Sequence, residues 1–278
     1  MNKLAQFTRR KNLVIGAIVT VVMIIMAIFA PLIAPYDPIY DADLMVAEEP
    51  PSSSYIFGTD DQGRDIFSRV VYVARISLSV GLISQLMNSI IGITLGLLAG
   101  YFGKWVDDLI MGLTNIMLSI PSIIFALAIM ALLGPGLINV FIALGFTNWS
   151  YTCRITRSQA LYTKNLNYVN ASRALSYGEV NIMFTQILPN IVGPILVIAT
   201  LGISGAILIE ASLSFLGLGT QPPTPSWGGM LATAREQLFT APWISIFPGM
   251  FIFLTVLGLN LFGDGLRDLL DPHTSQRK

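Results

Sequence analysis

A chain of 278 residues that is 54% hydrophobic and 12% charged carries about half the ionisable complement of a soluble domain, which is roughly a quarter Asp, Glu, Lys and Arg. With a mean hydropathy of +0.69, too little polar surface remains to face water all round, so an integral membrane protein is implied. Net charge is zero, the single cysteine (Cys153) excludes an intrachain disulfide or a multi-cysteine metal site, and the single histidine (His273) lies in a polar tail where a solvated side chain needs no role.

Lys3, Arg9, Arg10 and Lys11 precede the first apolar run, 13–34. That run is long enough to cross a bilayer and ends in Ala-Pro-Tyr-Asp without a small-x-small cleavage site, so an uncleaved first helix is expected. Five further spans follow from hydropathy, at 77–100, 109–133, 137–153, 191–215 and 244–263. A polar stretch rich in Asp, Pro and Ser separates the first two, and a tight turn over 101–108 joins the second and third. Residues 154–190 interrupt the apolar pattern, and 216–243 form a loop containing QPPTPSWGG, in which Trp227 suits a membrane interface. Gly92, Gly96 and Gly100 recur every four residues in the second span, a face for close helix approach. Pro121, Pro194 and Pro248 fall within or at the start of spans. Bundle packing and a gating role both fit these soft positions.

Lys and Arg are unevenly shared between alternate loops. The N-terminus, Lys104, the 154–190 segment (Arg154, Arg157, Lys164, Arg173) and the C-terminal tail hold 12 of the 16. Only Arg64, Arg69, Arg75 and Arg235 lie on the other side, where the first loop gathers eight acids from Asp37 to Asp65. The positive-inside rule then puts both termini and the 154–190 segment in the cytoplasm.

The spans hold little chemistry. Glu210, near the outer end of the fifth, is the one strong intramembrane acid; Asp107, Asp108 and Asp264 sit at turns or exits. That is too few for a proton relay, which argues against an ion-coupled carrier. No G-x-x-x-x-G-K-[ST] loop is present, so the chain does not hydrolyse ATP itself. A pore-forming or scaffold subunit driven from elsewhere remains. Glu210 either meets a substrate in the pore or pairs locally, with backbone or with Arg235.

Within YVNASRALSYGEVNIMFTQILPN (168–190), a short helix, a bend at Gly178 using positive φ, and a second helix striped by Val180, Met183, Phe184 and Ile187 are expected, ended by Pro189. Such a knob suits either a cytoplasmic partner or a lipid surface.

The same segment resembles the cytoplasmic loop of ABC importer permeases, with its Glu-Ala-Ala, three residues, Gly, and a later Leu-Pro. Here the pattern falls on Asn170-Ala171-Ser172, then Ser176, then Leu188-Pro189, with Gly178 two residues beyond the glycine position. Asn170 replaces the acid and forgoes any charge-assisted pair. FGTDDQGRDIFSRVVYVARISLSVGL (57–82), ASLSFLGLGTQPPTPSWGGML (211–231) and FPGMFIFLTVLGLNLFGDGLRDLLDP (247–272) resemble the dipeptide/oligopeptide/nickel group, and the short N-terminus resembles its C-type partner. By themselves, Gly58 to Asp65 read as a charged outer turn that caps the second helix or touches a binding protein. Gly263 to Asp268 read as a cap on the last span.

The resemblance implies an all-α polytopic type I ABC importer permease fold with six transmembrane helices, in a prokaryotic inner or plasma membrane. It implies an N-terminal part over 1–76, a permease core over 77–264 and a tail over 265–278. Asn170, Ala171, Ser172, Arg173, Leu175, Ser176, Gly178, Leu188 and Pro189 would form the loop that docks on the ATPase. Expected partners are a homologous second permease, two ATP-binding subunits that hold ATP and Mg, an extracytoplasmic substrate-binding protein, the lipid bilayer and a peptide substrate, with no nucleic acid. No cofactor is expected on this chain. Nickel or metal-chelate import is the alternative, against which stand the spans' lack of histidine and scarcity of acid.

Overall fold

The computed structural model describes residues 11–270. The basic residues Lys3, Arg9, Arg10, Arg277 and Lys278, and His273, lie outside them. Among the described residues the chain is helical, with no strand beyond an isolated Thr59–Asp65 bridge.

Helix α1 (Lys11–Ile28) and a one-turn α2 (Ala30–Ile33) make up the first apolar run. They part at Phe29 because Pro31, in the first turn of α2, has no N–H to continue the ladder. α1 lies along the last helix, α12 (Trp243–Leu270), through small residues. A Cβ on Gly16 would come within 2.3 Å of the Phe262 nitrogen, and one on Gly265 within 2.6 Å of the Leu13 Cα.

α3 (Ile66–Phe102) begins eleven residues before the expected 77. Arg69 and Arg75 depress hydropathy there, yet the helix starts cleanly because Asp65 caps it: one carboxylate oxygen accepts from Ser68 N at 2.7 Å and Ser68 Oγ at 2.6 Å. The outer turn therefore caps, as one reading of its charges holds. Asp60 closes it by accepting from the Gln62 and Arg64 amides and from Arg64 Nε at 2.8 Å.

Two expected spans are broken. The third is α4 (Lys104–Ser119) and α5 (Ser122–Leu133), bent by 89° where Ile120 is extended before Pro121. In place of 137–153 stand α6 (Leu137–Gly145) and the start of α7 (Trp149–Thr163). At nine residues α6 rises about 14 Å, half of a ~30 Å hydrocarbon core. The second half of the chain runs through α8 (Asn167–Ala174), a turn α9 (Glu179–Asn181), a π-helical turn at Ile182–Ile187, α10 (Leu188–Phe215), α11 (Trp227–Thr233) and α12. Among the described residues four helical stretches are long and apolar enough to cross a membrane, or five if the bent α4–α5 pair counts as one. Pro194 and Pro248 sit inside α10 and α12.

The glycine face of α3 serves packing. Cβ atoms on Gly92, Gly96 and Gly100 would lie 2.6–2.7 Å from Thr152, Cys153 and Ala160 atoms of α7, so only hydrogen lets these two helices touch. Trp227 is a correction: it is not interfacial but wholly buried, its indole N–H donating to the Val70 carbonyl at 3.1 Å. A large apolar ring with a single donor fits such a site, where α11 folds back beneath the outer loop.

Candidate functional site

The segment between α7 and α10 is a compact knob fixed to the end of α3. Its floor is apolar: Val169, Ile182, Met183, Ile187 and Ile191 pack on Leu97, Tyr101 and Ala160. The buried set differs from the expected stripe, since Val180 (63%) and Phe184 (50%) are exposed and Ile182 is buried. The cause is the π-helical turn over Ile182–Ile187, whose wider i→i+5 winding rotates the segment away from the 3.6-residue spacing.

Polar tethers close the base. Lys164 Nζ donates to the Gly100 and Tyr101 carbonyls at 2.7 and 3.2 Å, placing a cation on the free carbonyls at the end of α3. Burial, then the neighbouring Arg173 guanidinium, hold the Lys164 ammonium below the ordinary lysine range. Arg173 lies 5.3 Å from the Tyr101 ring centroid, and the Tyr101 hydroxyl hydrogen-bonds the Glu179 carboxylate. A further clamp, Arg157 on Asp107 at 2.5 Å through two nitrogens, joins α7 to α4.

Above this base the expected docking residues form one outward surface. Asn170, Ala171, Arg173, Leu175, Ser176 and Gly178 are exposed, with Leu175 at 73%. Ser172 is half-buried and donates to the Tyr168 carbonyl at 3.0 Å. Asn170 is spent within the loop: its amide nitrogen donates to the Asn165 carbonyl at 3.4 Å and its oxygen accepts from Arg173 at 3.2 Å. Leu188 and Pro189 lie where the π-helical turn passes into α10, rather than on the knob's crest.

The bend is also corrected. Gly178 has φ −63° and precedes α9, whereas Ser176 carries the left-handed conformation, with φ +60°. The turn therefore occurs at the position where the resembled pattern has its glycine. The sequence marks Lys164 only as part of the charge bias, and Tyr101 and Glu179 not at all, because their contacts join residues 63 to 78 positions apart and leave no local pattern.

At the opposite end, Glu210 is fully buried and accepts from Ser214 Oγ at 2.7 Å. Arg235 instead lies over the Phe215 ring, so an Arg235 pair is not formed. Among the described residues no cluster of His, Cys, Asp or Glu is arranged to hold a metal ion.

The family model described as binding-protein-dependent transport system inner membrane component matches residues 92–276. The chain belongs to that family. A second family model, the N-terminal TM domain of oligopeptide transport permease C, matches residues 3–51. Among curated relatives, the di/tripeptide transport system permease protein of Pseudomonas aeruginosa is 45% identical over 96% of this chain and 89% of its own. The oligopeptide transport system permease protein of Bacillus subtilis is 41% identical over 96% and 87%. The glutathione transport system permease protein of Pectobacterium atrosepticum is 42% identical over 96% and 89%. Among solved structures, a chain of the MetNI methionine ABC transporter superposes with a TM-score of 0.58 at 18% identity, covering 73% of this chain and 96% of that one. At that identity the likeness concerns the fold alone.

Proposed function

We propose that the chain is one of two homologous permeases of an ATP-driven importer of short peptides, and that the 167–190 knob couples it to the ATP-binding subunits. The near full-length identity to permeases named for di/tripeptides and oligopeptides carries the substrate class. The coupling role is supported by the knob's form: small and polar groups at Asn170, Ala171 and Ser176 stand exposed beside the apolar Leu175, on a base tied to α3. A partner that pushes on it would move a 37-residue helix.

In this reading six crossings are completed by the bent α4–α5 pair and by α6 with α7, and both termini and the knob face the cytoplasm in keeping with the placement of Lys and Arg. ATP and Mg belong to two partner ATPases, an extracytoplasmic binding protein delivers the peptide, and the assembly sits in a prokaryotic inner or plasma membrane. Uptake of labelled di- to pentapeptides, glutathione and nickel, free and chelated, by cells lacking the chain and by complemented cells tests it. Peptide uptake restored only in the complement is expected; restored nickel uptake with peptides unaffected overturns the substrate class.

A further inference from the structure

Between α7 and α10 runs a groove made of two adjoining cavities of about 400 and 260 Å³ that share Tyr151, Ile198 and Leu201. One end reaches Arg267 and Gly193; the other reaches Gln85, Asn148 and Gly205 at the middle of the long helices. From Gly193 to Gly205 α10 rises about 18 Å, the length of roughly five residues of extended peptide.

Apart from Arg267 at one end, the polar side chains that matter along it, Gln85, Asn148 and Tyr151, are neutral and keep free hydrogen-bonding capacity among the described residues. Gln85 is 4% exposed; its amide nitrogen donates to Ser89 Oγ at 3.2 Å, while its oxygen receives no donor from the described residues. That carboxamide lies against Gly202, where a Cβ would meet the oxygen at 2.0 Å, so the glycine is what leaves it room. Asn148 binds through its backbone N–H to Asn88, and neither its side chain nor the Tyr151 hydroxyl makes a hydrogen bond among the described residues. Unmatched amides at membrane depth cost several kcal/mol each unless a ligand or water meets them. Neutral groups that both donate and accept complement a peptide main chain, the one feature that peptides of different sequence share.

We infer that this groove is the subunit's binding track for a peptide in transit, gripping the main chain through Gln85, Asn148 and Tyr151. It rests on the reading of the chain as a peptide carrier. Gly205 offers a clean probe, because a Cβ there meets nothing within 4 Å. In the full complex with its binding protein, benzoylphenylalanine is placed at Gly205 or, as a control, at Phe253, which is 61% exposed on α12. During ATP-driven turnover of radiolabelled trialanine, light should attach label at 205 at least five-fold above 253, and Gly205→Trp should lower uptake at least ten-fold at equal assembly. Equal labelling at the two positions, cross-linking of 205 to the second permease alone, or unchanged uptake by Gly205→Trp overturns the track. If Gly205→Trp does not assemble, the labelling decides. A wild-type complex that takes up no peptide removes the carrier reading and the track with it; wild-type uptake with 205 unlabelled removes the track only.

Discussion

Ser176 shows how a single backbone angle gives meaning to a motif position. A non-glycine residue at φ +60° costs about 1–2 kcal/mol relative to a relaxed conformation, and glycine avoids the clash while losing some of that gain to its freer unfolded chain. Ser176→Gly should therefore stabilise the knob by up to about 1 kcal/mol, read as slower amide exchange across 167–181; faster exchange would show that the serine is not strained. Lys164 works at the same scale. Lys164→Met keeps the stem but removes the cation from the Gly100 and Tyr101 carbonyls, so exchange at the knob should rise while that of α12 stays unchanged.

At the scale of elements, packing rather than apolarity decides which helices form and where they end. Gly96→Leu drives a side chain into the Cys153 carbonyl, 2.6 Å from where its Cβ would stand, and should abolish stable accumulation in the membrane. Asp65→Ala removes the α3 cap and should cost about 0.5–2 kcal/mol, seen as a lower midpoint of thermal unfolding in detergent; Asp65→Asn, which can still accept, should recover much of it. The same contrast marks what could be read from the residues alone. Continuous apolar runs made α10 and α12 legible, and Gly92, Gly96 and Gly100 announced a close helix contact. The first turns of α3 were hidden because Arg69 is 7% exposed and donates to the Pro38 carbonyl at 2.9 Å, a tertiary solution that hydropathy counts against a helix. The break at Ser119–Pro121 was marked only by Pro121, which an unbroken span can also accommodate, and the division of 137–153 leaves the hydropathy of that run unchanged. The π-turn over Ile182–Ile187 leaves no trace in a 3.6-residue pattern.

Across the whole molecule, the proposed coupling requires that two ends be connected. α3 carries the capped outer turn at Asp65 and the knob's tethers at Gly100 and Tyr101, so one rigid helix links the outer loop to the proposed docking surface. The candidate docking residues were legible because the Asn170–Pro189 pattern is local; their foundation in Tyr101, Lys164 and Glu179 was not. The most direct test of coupling is ATP-driven peptide uptake by the reconstituted complex carrying Ala171→Asp, at equal assembly and with unaltered peptide binding by the binding protein. An exposed alanine tolerates aspartate in the free chain, but a docked one would bury an unpaired charge. Uptake at least ten-fold below wild type is predicted, with normal accumulation in the membrane; wild-type uptake would show that the knob does not meet the ATPase and would contradict its coupling role.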